Sequence, residues 1–298
     1  MKYLDPKADL TFKRIFGEHP DLVISLLNAL LPLKKGEEIT EIEYLPAELV
    51  PENPLRKFSI VDVRCRDRKG CQYLVEMQML WSPEFRERVL FNASKAYVRQ
   101  LGKGIQYELL QPVYSLNLVN DVFEPELKGY YHHYKMVHVE HSDRVIEGLQ
   151  LIFVELPKFQ PETFAGKRMQ VLWLRFLTEI DEKTRQVPDE LLSEPEIKKA
   201  LTVLEESAFS EAELAGYDHF WDIISTEKTY YNSALRKGLA EGKAEGRAEG
   251  KAEGRAEGRA EGKAEEQRQI AANLKKQGVE IETIALCTGL SVEEIKGL

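Results

Sequence analysis

Apolar residues return along the chain at two different spacings, and the change of spacing divides it into elements. Residues 21–31 read as an amphipathic helix that starts after Pro20 and stops at Pro32. Residues 38–45 alternate Ile39, Glu41 and Glu43 against Thr40, Ile42 and Tyr44, the period of a strand. Residues 58–67 and 71–80 are strand-like and are separated by Arg68-Lys69-Gly70. Residues 83–101 return to helical spacing through Phe85, Val89, Ala93, Ala96 and Leu101. Residues 112–119 and 149–156 are rich in Val, Leu, Ile and Phe and predict two more strands, with 130–139 as an edge strand. Residues 167–177, 189–206 and 211–224 have helical patterns. One helix, three strands, a helix, further strands and a run of helices predict a mixed α/β sandwich around a central hairpin.

The pattern breaks at residues 237–266. A unit of basic residue, Ala, Glu and Gly repeats there, as in Lys243-Ala244-Glu245-Gly246 followed by Arg247-Ala248-Glu249-Gly250. A period of four drifts about 40° per unit around a helix, so each stripe winds and fixes no face. Like charges fall at i,i+4, and a glycine in every unit costs about 1 kcal/mol relative to alanine. The expectation is a helix of low stability, either a solvated spacer or an oligomerisation segment in which charges pair between chains. Residues 267–298 regain apolar helical spacing, with Gly278 as a stop and Ser291 and Glu294 spaced as a capping box. They predict a small helix-turn-helix unit. Glu293 and Glu294 make its second helix acidic, which favours protein contact over reading of a DNA groove. The organisation is therefore 1–235, a globular body; 236–266, the tetrad repeat; and 267–298, the C-terminal unit.

Composition adds three limits. The 298 residues are long enough to bury a sizeable core, and 43% hydrophobic content excludes global disorder. No apolar run is long enough for a bilayer and no signal segment precedes residue 10, so a soluble, cytoplasmic chain without a membrane partner is expected. Cys65, Cys71 and Cys287 in such a setting are reduced thiols, with no partners at zinc spacing. The net charge of −9 argues against a nonspecific nucleic-acid binder, but its distribution does not. Residues 56–103 contain eleven Lys and Arg against five acids, a local +6 that leaves −15 for the rest.

Those few acids are where chemistry is sought. The three-residue loop Arg68-Lys69-Gly70 fits a type I turn followed by a left-handed glycine, which makes Asp67 the partner of Cys71. Opposed residue numbers then sum to 138, so Asp62 lies across from Glu76 on one face, with Gln78 following on that face. Two carboxylates so close repel unless a proton or a cation intervenes. A hard divalent cation such as Mg²⁺ suits them, because it takes carboxylate oxygens and leaves positions for water and phosphate. In this reading Asp62 and Glu76 hold the metal, Gln78 orients the attacking water, and Arg86, Arg88, Lys95 and Arg99 line a duplex backbone. Lys13 either touches phosphate or lies on a helix face. Ordinary surface carboxylates on a solvent-facing sheet are the competing reading.

The string Asp62-Val63, hairpin, Val75-Glu76-Met77-Gln78-Met79 resembles the PD-(D/E)XK nuclease superfamily, and most closely its Rpn branch of recombination-promoting nucleases and transposases. Asp9-Leu10-Thr11-Phe12-Lys13-Arg14-Ile15-Phe16-Gly17, the Arg88…Tyr97…Leu101 spacing, Pro112-Val113-Tyr114 and Phe153-Val154-Glu155-Leu156-Pro157-Lys158-Phe159 match as well. The resemblance spans roughly residues 1–231, and the repeat tail is typical of it. It implies a restriction-endonuclease-like mixed sheet flanked by helices and a DNA endonuclease dependent on Mg²⁺ or Mn²⁺, linked to recombination, mobile elements or defence. It assigns the catalytic roles to Asp62, Glu76 and Gln78 and makes DNA the partner, with self-association through the repeat. Gln78 stands where the wider superfamily has lysine, and Ile60-Val61 precede Asp62 where a proline is expected. Both departures point to a slow or conditional enzyme. Asp9 and Glu43 are candidates for a further acid. The alternative is a catalytically weak nuclease-fold module that binds DNA or assembles through its tail.

Three further signals carry less. His132, His133, His138 and His141 are read as belonging to a polar edge strand and not to a zinc site. Gly102-Lys103-Gly104 is read as the stop of the preceding helix. Trp81, Trp173 and Trp221 are read as packing residues.

Overall fold

A computed structural model describes residues 2–49, 60–101, 106–161 and 168–298. The readings of residues 58–59 as strand and of Gly102-Lys103-Gly104 as a helix stop lie outside the described residues. Within the body, α1 (Asp9–Glu18) and α2 (Pro20–Leu30) precede β1 (Ile42–Tyr44), β2 (Val63–Asp67) and β3 (Gln72–Gln78). Then come α3 (Pro83–Val98), β4 (Val113–Val119), β5 (Tyr131–Val137) and β6 (Val145–Glu155). They are followed by α4 (Arg168–Glu179), α5 (Asp189–Leu192) and α6 (Pro195–Val203). The one helix predicted over 189–206 is two because Pro195 lacks the amide a continuing helix would need, and it starts α6 instead.

The six strands form one sheet in the order β1-β2-β3-β4-β6-β5. β3, β4 and β6 are mutually parallel, while β1–β2, β2–β3 and β5–β6 pair antiparallel. The hairpin register is the one its loop predicts: Val63 faces Val75 and Arg64 faces Leu74. Gly70 has φ 89°, a left-handed conformation that suits glycine and closes the turn, and its amide donates to the Asp67 carbonyl at 3.1 Å. β5 is the edge strand. His132 on it meets Glu155 and His133 meets Gln150.

The two sheet faces are covered unequally. Val63, Cys65, Tyr73, Val75, Leu116, Leu118, Ile152 and Val154 face the large core, built with Phe12, Phe16, Leu26, Trp173 and Phe176 of α1, α2 and α4. The opposite face meets α3, through Leu74 and Val113 against Ala93 and Ala96, and through Phe153 against Phe85 and Val89. Residues 72, 74, 76 and 78 alternate onto this second face. Glu76 thus sits on the side that α3 covers.

Contacts divide the chain into residues 1–228 and 229–298. In the second unit α7 (Glu211–Lys276) completes a 66-residue helix without a break, so the tetrad repeat is helical throughout. Helix nucleation is the costly step, and here an apolar helical pattern on each side of the repeat supplies it. Downstream, α8 (Ile281–Thr288) and α9 (Val292–Gly297) fold back so that Ile284 and Ile295 bury against Ala271. Gly278 and Gly289 adopt φ of 81° and 72° at the two turns, and Ser291 and Glu294 form the predicted capping box.

A candidate nuclease active site

The polar row on the α3 face begins in the hairpin. Strand pairing sets Glu76 beside Asn117 of β4, which is in turn beside Phe153 of β6. Asp62 lies one residue before β2, directly beyond the Val63–Val75 pair, and its Oδ2 accepts the Met77 amide at 2.7 Å. Asp62, Glu76, Met77 and Gln78 open into one cleft of about 950 Å³ with Lys13, Ile60, Glu84, Glu87, Arg88 and Phe91. The structure therefore brings together the two predicted carboxylates, Asp62 and Glu76, with Gln78.

Their electrostatics are unusual. Asp62 is half-buried, and burial pushes its carboxyl up to about 6, against the pull of the Met77 amide and of the charge on Lys13. Glu76 is 5% exposed, and burial pushes it up to about 7, with the charge on Asp62 adding to the rise. What opposes the rise is weak. Asn92 Nδ2 donates to Glu76 Oε1 at 3.1 Å, and the nearest cation, Arg88, stands at 3.6 Å from Oε2. Asn92 is wholly buried, and its Oδ1 has no hydrogen-bond partner among the described residues. The sequence reading missed Asn92. It falls three turns into α3, on the buried stripe that also carries Phe85, Val89, Ala93 and Ala96, and a polar residue in that stripe was the available signal.

Other predicted residues have different surroundings. Gln78 donates through Nε2 to the Leu80 carbonyl at 2.6 Å and accepts Arg88 Nη2 at 2.7 Å, so both ends of its amide are engaged. Arg86 pairs with Glu124 at 2.6 Å and lies over the Trp81 and Phe123 rings, outside the cleft. Lys95 donates to the Leu49 carbonyl and sits over Phe91. Arg99 is half-buried; burial first, and then the charge of Arg99, lowers the pKa of Lys95 and of Arg64. Of the two further acids, Asp9 pairs with Lys13 at 2.7 Å and its charge reaches Asp62. Glu43 pairs with Arg66 on β2 and does not line the cleft. Trp81 stacks on Phe123, Trp173 lies in the large core, and Trp221 packs beside Tyr217.

Fit to a divalent cation can be judged from the donors. The cleft presents the carboxylates of Asp62 and Glu76, both hard oxygen donors, and burial raises the proton affinity of each. Among the described residues no group of three or more His, Cys, Asp and Glu is placed to hold an ion, and the carboxylates that line the cleft on the hairpin are two, Asp62 and Glu76. That number suits Mg²⁺, which takes one or two carboxylates and fills its other positions with water and phosphate. The cleft also holds four acids, Asp62, Glu76, Glu84 and Glu87, against the cations Lys13 and Arg88. With Asp62 and Glu76 ionised, a phosphate entering it meets net repulsion until a divalent cation is added.

Comparison with known proteins agrees with the geometry. The chain matches the model of the PD-(D/E)XK nuclease family transposases over residues 6–232. No curated protein and no solved structure matches it significantly. No helix among the described residues is long and apolar enough to cross a membrane. The matched span includes the hairpin, the cleft and every residue of the carboxylate set, and the chain belongs to the PD-(D/E)XK nuclease family transposases, with the restriction-endonuclease-like fold of that family.

Proposed function

We propose that the protein is a metal-dependent DNA endonuclease whose active site is the cleft at Asp62 and Glu76. The observation that carries this reading is the pair itself: two cleft-lining carboxylates, both raised in pKa by burial, with too few protein donors to hold their charge. Asp62 and Glu76 would hold Mg²⁺ or Mn²⁺, which when bound polarises the phosphate and makes hydroxide available at neutral pH. The Met77 amide and Asn92 fix the orientation of the two carboxylates. Gln78 positions Arg88 at the cleft wall through its amide oxygen. Arg88 then faces the scissile phosphate. Arg99, with the Lys95 ammonium that also contacts the Leu49 carbonyl, would meet the duplex backbone. The link to recombination, mobile elements or defence rests on the family.

Self-association belongs to the same reading. Tyr231, Leu235 and Leu239 repeat every fourth residue along α7 and are 61%, 50% and 66% exposed, an apolar stripe that a second copy would cover. Light scattering of the full chain beside Leu235→Glu/Leu239→Glu checks this part.

The decisive experiment is cleavage of supercoiled plasmid with Mg²⁺, Mn²⁺ or EDTA, using the wild-type chain, Asp62→Ala and Glu76→Ala. Nicking that requires the metal and falls at least 100-fold in both variants is expected. DNA binding without nicking in any metal would overturn the reading in favour of a binding module.

A further inference from the structure

Gln78 is uncharged and occupied at both ends, so it offers no positive charge to the cleft. Arg88 is the partner of Gln78 and the nearest cation to Glu76. The remaining cation of the lining is Lys13. It comes from α1, an element remote in sequence from the hairpin. Phe12 beside it is fully buried, and Arg14 on its other side is tied to Glu213 and to the Ala208 carbonyl. The backbone that carries Lys13 is therefore fixed, while its side chain remains 43% exposed at the cleft. Asp9, one turn earlier, holds the ammonium at 2.7 Å. An ammonium has three donors, so two remain for a ligand.

We infer that Lys13 is a catalytic residue of the proposed nuclease: its ammonium contacts a non-bridging oxygen of the scissile phosphate, with Asp9 as the positioning residue that aims it. This rests on the nuclease reading above and deepens it. The charges are consistent. One divalent cation with Lys13 and Arg88 offsets the four lining acids Asp62, Glu76, Glu84 and Glu87, so the metal-loaded cleft no longer repels a phosphate, and Lys13 is one of the two side-chain cations that make this so. The phosphodiester carries one negative charge and gains another as water adds. In that step the attacking water releases a proton to solvent as its oxygen bonds to phosphorus, and one bridging P–O bond breaks. The released oxygen takes up a proton from solvent, and no oxidant or reductant is needed. Lys13 stays an ammonium throughout, and its contribution is stabilisation of the charge that develops on the phosphate.

A lysine that merely touches the duplex backbone would behave differently. It would weaken binding and reduce the salt slope of binding by about one, and it would leave the rate at saturation alone. The test therefore separates the two quantities. Single-turnover cleavage of a labelled duplex is measured across protein concentrations for the wild type, Lys13→Met, Lys13→Arg, Asp9→Asn and Asp62→Ala. Fluorescence anisotropy of the same duplex in Ca²⁺ gives affinity and its salt dependence, and thermal unfolding confirms that each variant is folded.

The expected result for Lys13→Met is a maximal rate about 100-fold lower with affinity within about twofold of wild type. Lys13→Arg should recover part of the rate, and Asp9→Asn should lower it several-fold. A Lys13→Met protein that cleaves at the wild-type rate once saturated, while Asp62→Ala is dead, overturns the inference and leaves the nuclease reading standing. So does a salt slope reduced by one with the saturated rate intact. A wild-type chain that binds the duplex but never cleaves it, or an Asp62→Ala chain that cleaves like wild type, overturns the nuclease reading and the inference with it.

Discussion

Two buried glutamates lie on the α3 face of the same sheet, and the protein treats them in opposite ways. Glu155 on β6 is fully buried and fully served. Its Oε2 meets Lys158 at 2.6 Å and His132 at 2.8 Å, and its Oε1 accepts the amides of Phe123 and Glu124. Burial alone would raise its carboxyl, but Lys158, the Glu124 amide, His132 and the Phe123 amide together hold it below the ordinary range. Glu76 on β3 has one amide donor and a guanidinium at the limit of ion pairing, and it is pushed up to about 7. The first arrangement ties the loop after β4 to the edge strand. The second leaves a charge deficit at the wall of a cleft. Burial of a carboxylate is common to both. What distinguishes a structural carboxylate from one poised for a ligand is whether the protein itself completes its coordination.

The largest effect expected from breaking this contrast is at Glu155. In Glu155→Ala, Lys158 and His132 lose their common partner and two backbone amides lose their acceptor. Removing one member of a buried, hydrogen-bonded ion pair costs on the order of 3–5 kcal/mol. Urea unfolding of the body should show a loss of this size, or the variant should fail to accumulate folded. A loss below about 1 kcal/mol would mean that the network is not structural and that the distinction from Glu76 fails.

Glu76→Gln should act in the other direction, and only at high pH. The folded carboxyl titrates near 7 and the ordinary value is 4.5. A carboxyl raised by folding binds more protons in the native state, so metal-free stability falls as pH climbs through this window. The Asp62 carboxyl, raised to about 6 from 3.8, adds a fall of the same sign. Glutamine removes the cost of the buried charge at position 76. In EDTA the variant should be more stable than wild type by roughly 3 kcal/mol at pH 8, a difference that shrinks below about 1 kcal/mol at pH 5. Adding Mg²⁺ should narrow the gap at pH 8 by stabilising the wild type alone. Equal stability differences at the two pH values would contradict the shifted carboxyl.

The sequence made parts of this contrast visible and hid others, for physical reasons. The hairpin was readable because loop length fixes register: a three-residue turn ending in Gly70 sets Asp62 against Glu76 before any tertiary contact is known. Glu155 and Lys158 were visible as residues, but their union with His132 depends on β5 pairing back onto β6, which no local pattern encodes. Asn92 looked like one polar position in an ordinary amphipathic helix. Arg86 and Lys95 were read as a rail for the duplex on charge alone, and the structure gives them Glu124 and the Leu49 carbonyl as partners. Charge counts along a chain do not register which side chains are already engaged. The repeat was readable as a helix but its continuity was not, because glycine propensity is a local penalty and helix propagation from both flanks is not local.

The smallest effect, and the sharpest test of the contrast, is Asn92→Ala. The substitution removes the donor to Glu76 Oε1, a loss of about 1 kcal/mol for a typical hydrogen bond. It also deletes the orphaned Oδ1, whose burial without a partner carries a penalty of about 1–3 kcal/mol in the native protein. A small cavity opposes that relief. The terms nearly cancel, so metal-free stability at pH 6 should change by less than about 1 kcal/mol. Affinity for Mn²⁺ should fall, because Glu76 loses the group that orients it and favours its charged form. Calorimetric titration with Mn²⁺ and urea unfolding on the same protein separate the two quantities. A destabilisation of 3 kcal/mol with unchanged Mn²⁺ affinity would place Asn92 among residues that hold the fold, as Lys158 and His132 do around Glu155. It would then remove the difference between the two glutamates on which the assignment of the cleft depends.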